Sequence, residues 1–166
     1  MSDTTDQLID TLAERAKASG VSIIPEVNTR RLEELEAKLP MRLPQSFRSL
    51  LSRYSFPRFD AGGITFFAWS EKIDEYTAEA MAAEGSLSEL LLPAGFVQIG
   101  RPDTGIFDAV CFDLNDRKQN PECRVVLIDH EEILCNWRVK VMRELWQSFR
   151  RLAETADVDR VLAPDP

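Results

Sequence analysis

Cysteine and histidine, the residues on which small stapled or zinc-bound domains depend, are scarce in this sequence. There are three cysteines and one histidine in 166 residues, and no two cysteines stand in a Cys-x-x-Cys spacing. An odd, sparse set of thiols argues against a disulfide framework, and the spacing argues against a zinc knuckle. The ordinary interpretation of Cys111, Cys123 and Cys135 is small buried or half-buried side chains in a reducing compartment.

Long apolar runs and leader signals are also lacking. No apolar stretch approaches the roughly 20 residues that span a bilayer. Residues 1–10 are polar and acidic, without the basic and apolar regions of a signal peptide. We therefore expect a cytoplasmic protein that does not bind membranes.

Positive charge is in deficit, with 20 lysines and arginines against 28 acids and a net charge of −8. An acidic chain repels phosphate backbones, which argues against nucleic acid as a partner, whereas a basic protein would be attracted. The apolar content of 44% and the charged content of 29% are those of an ordinary globular protein. A chain of this length is expected to form one domain that buries roughly 70% of its unfolded surface.

Strand signal is concentrated in residues 95–134. Residues 96–99, 110–114 and 125–128 are short runs rich in apolar and β-branched side chains, and the connections between them are dense in Gly, Pro, Asp and Asn. Because neither connection is long enough for a crossover helix, the pattern predicts an antiparallel meander. A further strand of the same sheet is predicted at residues 64–69.

Helices are predicted on both sides of these strands, from apolar residues that recur at spacings of three and four. They cover residues 5–18, 29–39, 44–54 and 70–83, and a closing helix after residue 133 has Val141, Leu145, Phe149 and Leu152 as its apolar stripe. The order of elements predicts a single α+β domain, in which an antiparallel meander of about four or more strands packs against flanking helices. We divide the chain into an N-terminal helix and lead-in (1–27), the α+β domain (28–154) and a polar, frayed tail (155–166).

One triplet matches a protease motif by its letters alone. Asp103-Thr104-Gly105 spells the aspartic-protease triplet, which needs a dry apolar strand before it so that two carboxylates can share a proton. Here Arg101-Pro102 precedes it, and Asp-x-Gly is ordinary turn chemistry. A turn is therefore the better interpretation.

Two other groups could carry chemistry. Asp103, Asp108, Asp113 and Asp116 could gather around a divalent cation, but the run 113–116 lacks the glycine and the bidentate glutamate of a calcium loop. His130 lies among acids and could act in general acid–base catalysis, but no sequence motif indicates a nucleophile or an orienting partner for it. We expect no catalytic residue, metal or cofactor. A small metal-dependent hydrolase that uses the same acids is the alternative.

Particular residues, taken in order, resemble one family. They are Leu32-Glu33-Glu34-Leu35-Glu36, then Leu43-Pro44, the helix 47–54 with its paired leucines and tyrosine, the strand 96–100, the strand 110–113, the run 125–131 that passes from Val-Val into Asp-His-Glu, and Ser148-Phe149. In this order they are similar to the SUKH superfamily, which includes Smi/Knr-type cell-wall-assembly regulators and many bacterial toxin-immunity proteins. The resemblance covers residues 29–153.

The resemblance implies a non-enzymatic module that binds another protein. Its bacterial members usually provide immunity by binding and neutralising a cognate toxin, often a nuclease. A nuclease carries positive charge to hold its substrate, so an acidic inhibitor would be steered to its active face. A regulatory scaffold domain without a toxin is left open beside this interpretation.

Charge placement predicts where such a partner would bind. We expect the partner to bind at the acidic turns that flank the central strands. Of the tryptophans, Trp137 has the most polar surroundings, which predicts that it is exposed and acts as an aromatic anchor. The predicted partner-binding residues are Asp103, Asp108, Asp113, Asp116, Glu122 and Trp137.

Overall fold

The computed structural model describes residues 2–70 and 86–161. The helix predicted at residues 70–83 therefore lies, except for its first residue, outside the described residues. Within them the chain forms a single α+β domain with an antiparallel sheet packed against helices, as predicted. No helix in this part of the chain combines the length and the apolar character needed to cross a membrane.

The described elements alternate along the chain rather than falling into separate helical and strand segments. The helices are α1 (Ser2–Ala18), α2 (Thr29–Glu36), α3 (Gln45–Arg53), α4 (Ser86–Leu91), α5 (His130–Asn136) and α6 (Phe149–Thr155), with a 3-10 helix at Leu114–Lys118. The strands are β1 (Ile24–Pro25), β2 (Tyr54–Ser55), β3 (Phe59–Ala61), β4 (Ile64–Phe66), β5 (Phe96–Pro102), β6 (Ala109–Asp113), β7 (Val125–Ile128), β8 (Val141–Trp146) and β9 (Val158–Arg160).

Seven of these strands form one sheet in the order β8-β7-β6-β5-β4-β3-β9, and every neighbouring pair is antiparallel. The predicted meander is the run β5-β6-β7, in which Val97 lies opposite Phe112 and Cys111 lies opposite Val126. Strands β1 and β2 pair separately.

The central strands are buried on both faces because successive side chains point to opposite sides of a sheet. Val110 and Phe112 of β6 join the larger apolar cluster, which takes in residues of α1, α3 and α6. Ala109 and Cys111 join a smaller cluster on the other face, beneath Leu91 of α4 and Ile133 of α5. The sheet is therefore a middle layer, and its exposed chemistry is confined to its ends and edges.

Phe47 of α3 lies at the centre of the larger cluster, in the apolar stripe predicted for that helix. Its ring centroid is 5.1 Å from that of Phe112 and 5.0 Å from that of Phe149, both in edge-to-face geometry. Edge-to-face pairs stabilise a core by about 1 kcal/mol beyond the area they bury. This contact joins α3, the sheet and α6.

The closing helix predicted after residue 133 is wrong in its middle. Residues 130–136 are helical and α6 contains Phe149 and Leu152, but Val141–Trp146 between them is strand β8. The apolar spacing fits either state, and the unpaired edge of β7 decides between them: Leu127 pairs with Arg143 and Val126 with Glu144. Tertiary pairing overrides the local period here.

The frayed tail predicted at residues 155–166 is wrong for the part that the structure describes. Val158–Arg160 forms β9, which pairs with β3 so that Val158 lies opposite Ala61. Val158 is 3% exposed and belongs to the larger cluster. A single buried apolar residue therefore anchors this strand to the edge of the sheet.

Candidate functional site

The predicted acids lie at two opposite ends of β6. Asp108 precedes the strand and Asp113 is its last residue, so at about 3.3 Å per residue the two are separated by roughly 17 Å. Asp103 lies near the first end, whereas Asp116 and Glu122 lie near the second. The structure therefore does not bring the five acids together into one patch.

Asp113 is used inside the fold. It is 4% exposed, and its Oδ2 accepts hydrogen bonds from Nε and Nη2 of Arg124 at 3.0 and 2.9 Å. Its Oδ1 accepts from the backbone and side-chain nitrogens of Asn115, both at 3.1 Å. The carboxylate therefore caps the 3-10 helix and joins it to the segment that leads into β7.

Glu122 and Asp116 also accept hydrogen bonds from other residues of the domain. Glu122 accepts from the backbone N–H of Ser46 at 3.3 Å and from its hydroxyl. Because Pro44 at the N-cap of α3 has no side-chain acceptor, Glu122 supplies the cap from a distant segment. Asp116 accepts from the backbone N–H of Arg124 at 3.3 Å. Both carboxylates are therefore used for hydrogen bonds within the domain.

At the other end of the sheet, one of the predicted carboxylates, that of Asp103, accepts no hydrogen bond from the described residues. We call this end of the sheet the loop end, defined by the β3–β4 turn (Gly62 and Gly63), the β5–β6 loop (residues 103–108) and the junction of β7 with α5 (Asp129 and His130). Antiparallel register brings these segments together, because Ala109 pairs with Ile128 and Ile64 pairs with Pro102.

Asp108 and His130 form a two-point polar contact at the loop end. Oδ1 of Asp108 lies 2.7 Å from Nδ1 of His130 and also accepts the backbone N–H of His130 at 3.1 Å. Asp129 caps the same helix by accepting from the N–H groups of Glu131 and Glu132 at 2.9 and 3.3 Å. The orienting partner that sequence motifs did not reveal for His130 is therefore Asp108. The meander could have revealed it, since its register places residue 108 beside residue 129.

Within the described residues, a group of side chains at the loop end could also hold a metal ion. One ligand atom each from Asp108, Asp129 and His130 lies within 4.8 Å of the others. However, both carboxylates already accept N–H groups at the start of α5, where the helix dipole is positive and disfavours a cation. A bound cation would have to compete with these caps, so the arrangement fits helix capping better than metal binding.

The β5–β6 loop exposes two consecutive large apolar side chains, Ile106 at 52% and Phe107 at 62%. The ring of Phe107 lies 5.2 Å from the guanidinium carbon of Arg101 and 6.2 Å from the ring of His130. The next residue, Asp108, is the buried partner of His130. The loop therefore presents an aromatic side chain that its neighbours hold in place.

Trp137 is 57% exposed, as its polar surroundings predicted. It ends α5 in the left-handed conformation, with φ 51°, and its N–H closes the helix on the carbonyl of Ile133 at 3.1 Å. A non-glycine residue in this conformation is uncommon. Its exposure is confirmed, and its role as an anchor stays a prediction.

A cleft of about 420 Å³ opens between the β3–β4 turn, the β5–β6 loop and β8. Its walls include Asp103, Asp108, Leu127, Arg143 and Trp146. The turn and β8 are four strands apart in the sheet order, but strand twist of roughly 20–25° per step accumulates and curls the sheet. Trp146 joins the two sides by donating its indole N–H to the carbonyl of Gly62 at 2.9 Å.

A second acidic group lies on β3 and β9, outside the lining of this cleft. Asp60 lies directly opposite Asp159 on the neighbouring strand, and its pKa is raised, first by burial and then by the charges of Asp103 and Asp159. A hydrogen bond from the hydroxyl of Thr65 acts in the opposite direction. Like charges on facing residues destabilise a sheet slightly. Sequence reasoning missed this group because β9 was not predicted.

Comparison with known proteins identifies the family. The model of the SMI1 / KNR4 family (SUKH-1) matches residues 26–154. The chain therefore belongs to this family, and the predicted SUKH resemblance is confirmed. No curated protein and no solved structure matches the chain significantly.

Proposed function

We propose that this chain is a non-enzymatic, cytoplasmic protein-binding module of the immunity type, which binds and neutralises a cognate basic toxin through its loop end. Membership of the SUKH-1 family is compatible with this role. The observation that carries the proposed surface is the exposure of Ile106 and Phe107 beside the uncommitted carboxylate of Asp103. No hydrogen bond to that carboxylate is formed by the described residues.

The physical support is pre-organisation. Exposed aromatic side chains dominate binding energy when they enter a dry pocket of a partner, and less entropy is lost when they are already held. Phe107 meets this condition through Arg101 and His130. The net charge of −8 would speed the encounter with a basic protein.

The proposal assigns different tasks to the predicted partner-binding residues. Asp103 and Trp137 are exposed and would contact the partner. Asp108 would act indirectly, by holding the loop against α5. The hydrogen bonds of Asp113, Asp116 and Glu122 assign them to stabilising the domain, and their contribution to binding would be small.

The test is capture from a lysate of the native host with the purified chain as bait, compared with a Phe107→Ala bait. We expect the wild-type chain to retain a basic protein whose toxicity it relieves on co-expression, and the variant to lose both effects. Val27→Ala is the matched control, because Val27 is 89% exposed and lies outside the loop end. Equal capture and rescue by the Phe107 variant would contradict the proposed surface, and capture of a neutral complex without toxicity would favour the scaffold interpretation.

A small metal-dependent hydrolase is the second candidate, and the grouping of Asp108, Asp129 and His130 is the observation in its favour. Dialysis followed by elemental analysis separates the candidates. Stoichiometric retention of a divalent metal that is lost in His130→Ala would favour the enzyme.

A further inference from the structure

We infer that the cleft between the β3–β4 turn and β8 is a recognition pocket for an arginine side chain of the partner. This inference rests on the proposed function and names the chemistry by which a basic partner would be recognised. The pocket is distinct from the exposed Phe107, which does not line it.

A buried carboxylate with an unused oxygen is the first observation behind the assignment. Asp108 lines the cleft and is only 8% exposed. Both contacts to His130 use Oδ1, and none of the described residues donates to Oδ2. This oxygen is not sealed from solvent, so a charged donor that enters the cleft can bond to it, and such charge-assisted hydrogen bonds are the stronger ones.

The second observation is the set of walls around that carboxylate. Asp103 contributes a second carboxylate, on the exposed side of the same loop, and no described residue donates to it. Leu127 and Leu145 provide apolar surface for the methylene stem of a long side chain, and Trp146 lines the pocket beside them. A planar guanidinium can bond two carboxylates while its flat face lies against an aromatic ring.

One lining residue opposes this ligand. Arg143 is exposed at the rim, and the described residues provide no ion-pair partner for it. In the free chain its charge lowers the attraction of the pocket for a cation. The two charges should therefore have opposite effects on the binding of a cation. Removing the charge of Arg143 should strengthen binding, whereas removing the charge of Asp103 should weaken it.

The probe is N-acetyl-arginine amide, titrated into the full chain labelled with 15N, with N-acetyl-citrulline amide as the neutral analogue of the same shape. We expect saturable shifts of the Trp146 indole N–H and of the Gly62 and Thr104 amides with the arginine compound only. The indole signal is assigned by its loss in Trp146→Phe. Equal shifts with citrulline would overturn the inference.

Charge variants supply the second readout. Asp103→Asn should weaken binding of the probe by about two- to fivefold, the range of an accessible ion pair, and Arg143→Gln should tighten it by a similar factor. Glu131→Gln is the matched control, because it removes one nearby negative charge without altering the cleft, and should change binding little.

Two further outcomes separate the pocket from the proposed function. Tighter binding in Asp103→Asn, or weaker binding in Arg143→Gln, would overturn the cationic ligand. If the wild-type chain captures a toxin but shows no response to the arginine probe, and Asp103→Asn captures it equally well, the pocket fails and the proposed function stands. A response to the probe with no toxin captured would support the pocket and count against the proposed function.

Discussion

Asp108 and His130 are 22 residues apart in the chain, yet one carboxylate oxygen of Asp108 meets both the ring Nδ1 and the backbone N–H of His130, at 2.7 and 3.1 Å. The contact ties the β5–β6 loop to the first turn of α5. It leaves the apolar side chains before Asp108 exposed on a loop whose end is fixed. Presentation of Phe107 therefore depends on a polar contact buried beneath it.

Asp108→Ala should lower the free energy of unfolding by about 2 kcal/mol, because it leaves two donors of His130 without their acceptor. Urea denaturation at neutral pH measures the loss. Thr104→Ala, in the same loop but exposed, is the control and should be nearly neutral. A stable Asp108→Ala variant would show that the contact does not hold the loop.

Glu122→Ala should destabilise the domain by about 1 kcal/mol, since α3 then loses the acceptor that caps its first turn. Glu122→Gln keeps an acceptor oxygen and should lose less. The same denaturation experiment compares the two variants. If Glu122→Ala instead leaves stability unchanged and weakens capture of the partner, Glu122 belongs to the binding surface.

Gly62→Ala and Gly63→Ala form a matched pair. Both glycines have positive φ, 60° and 81°, so both substitutions carry backbone strain of about 1 kcal/mol. A Cβ on Gly62 would also lie 2.7 Å from Cζ2 of Trp146, whereas a Cβ on Gly63 meets nothing within 4 Å. Gly62→Ala should therefore have the lower melting temperature and disturb Trp146 fluorescence. Equal losses would mean that the indole moves aside freely.

Stability should fall at high pH through Tyr54. Burial, followed by the hydrogen bond to Asp10 at 2.6 Å, raises the pKa of Tyr54 to about 12 from 10.0. A group whose pKa is raised on folding stabilises the native state below its unfolded pKa. This contribution is lost between about pH 10 and 12. Unfolding free energies across this range, with Tyr54→Phe as the comparison, measure the effect, and parallel pH profiles for the two proteins would refute it.

Local sequence was sufficient where a pattern has one physical solution. The runs around Val97, Cys111 and Val126 are β-branched or apolar and are separated by turn residues, so the antiparallel meander followed directly. The stripe of Phe47, Leu50 and Leu51 likewise predicted the buried face of α3, where each is at most 2% exposed.

Local sequence was insufficient where two structures share one pattern. The spacing of Val141 and Leu145 fits a helix as well as a bulged strand, and only the open edge of β7 favours the strand. For the same reason, the sequence showed which acids the turns contain but not which of them lie close together in the structure. Their positions depend on which strand ends meet.

The sequence by itself determined the family, the α+β class, the central meander and the exposure of Trp137, because these follow from composition, short periods and the order of local motifs. Tertiary structure decided which acids are available for binding. Strand register joined Asp108 to His130, the packing of α3 against a distant turn engaged Glu122, and the curl of the sheet brought Trp146 to Gly62. Each of these contacts joins residues far apart in the chain, so no local pattern specifies them.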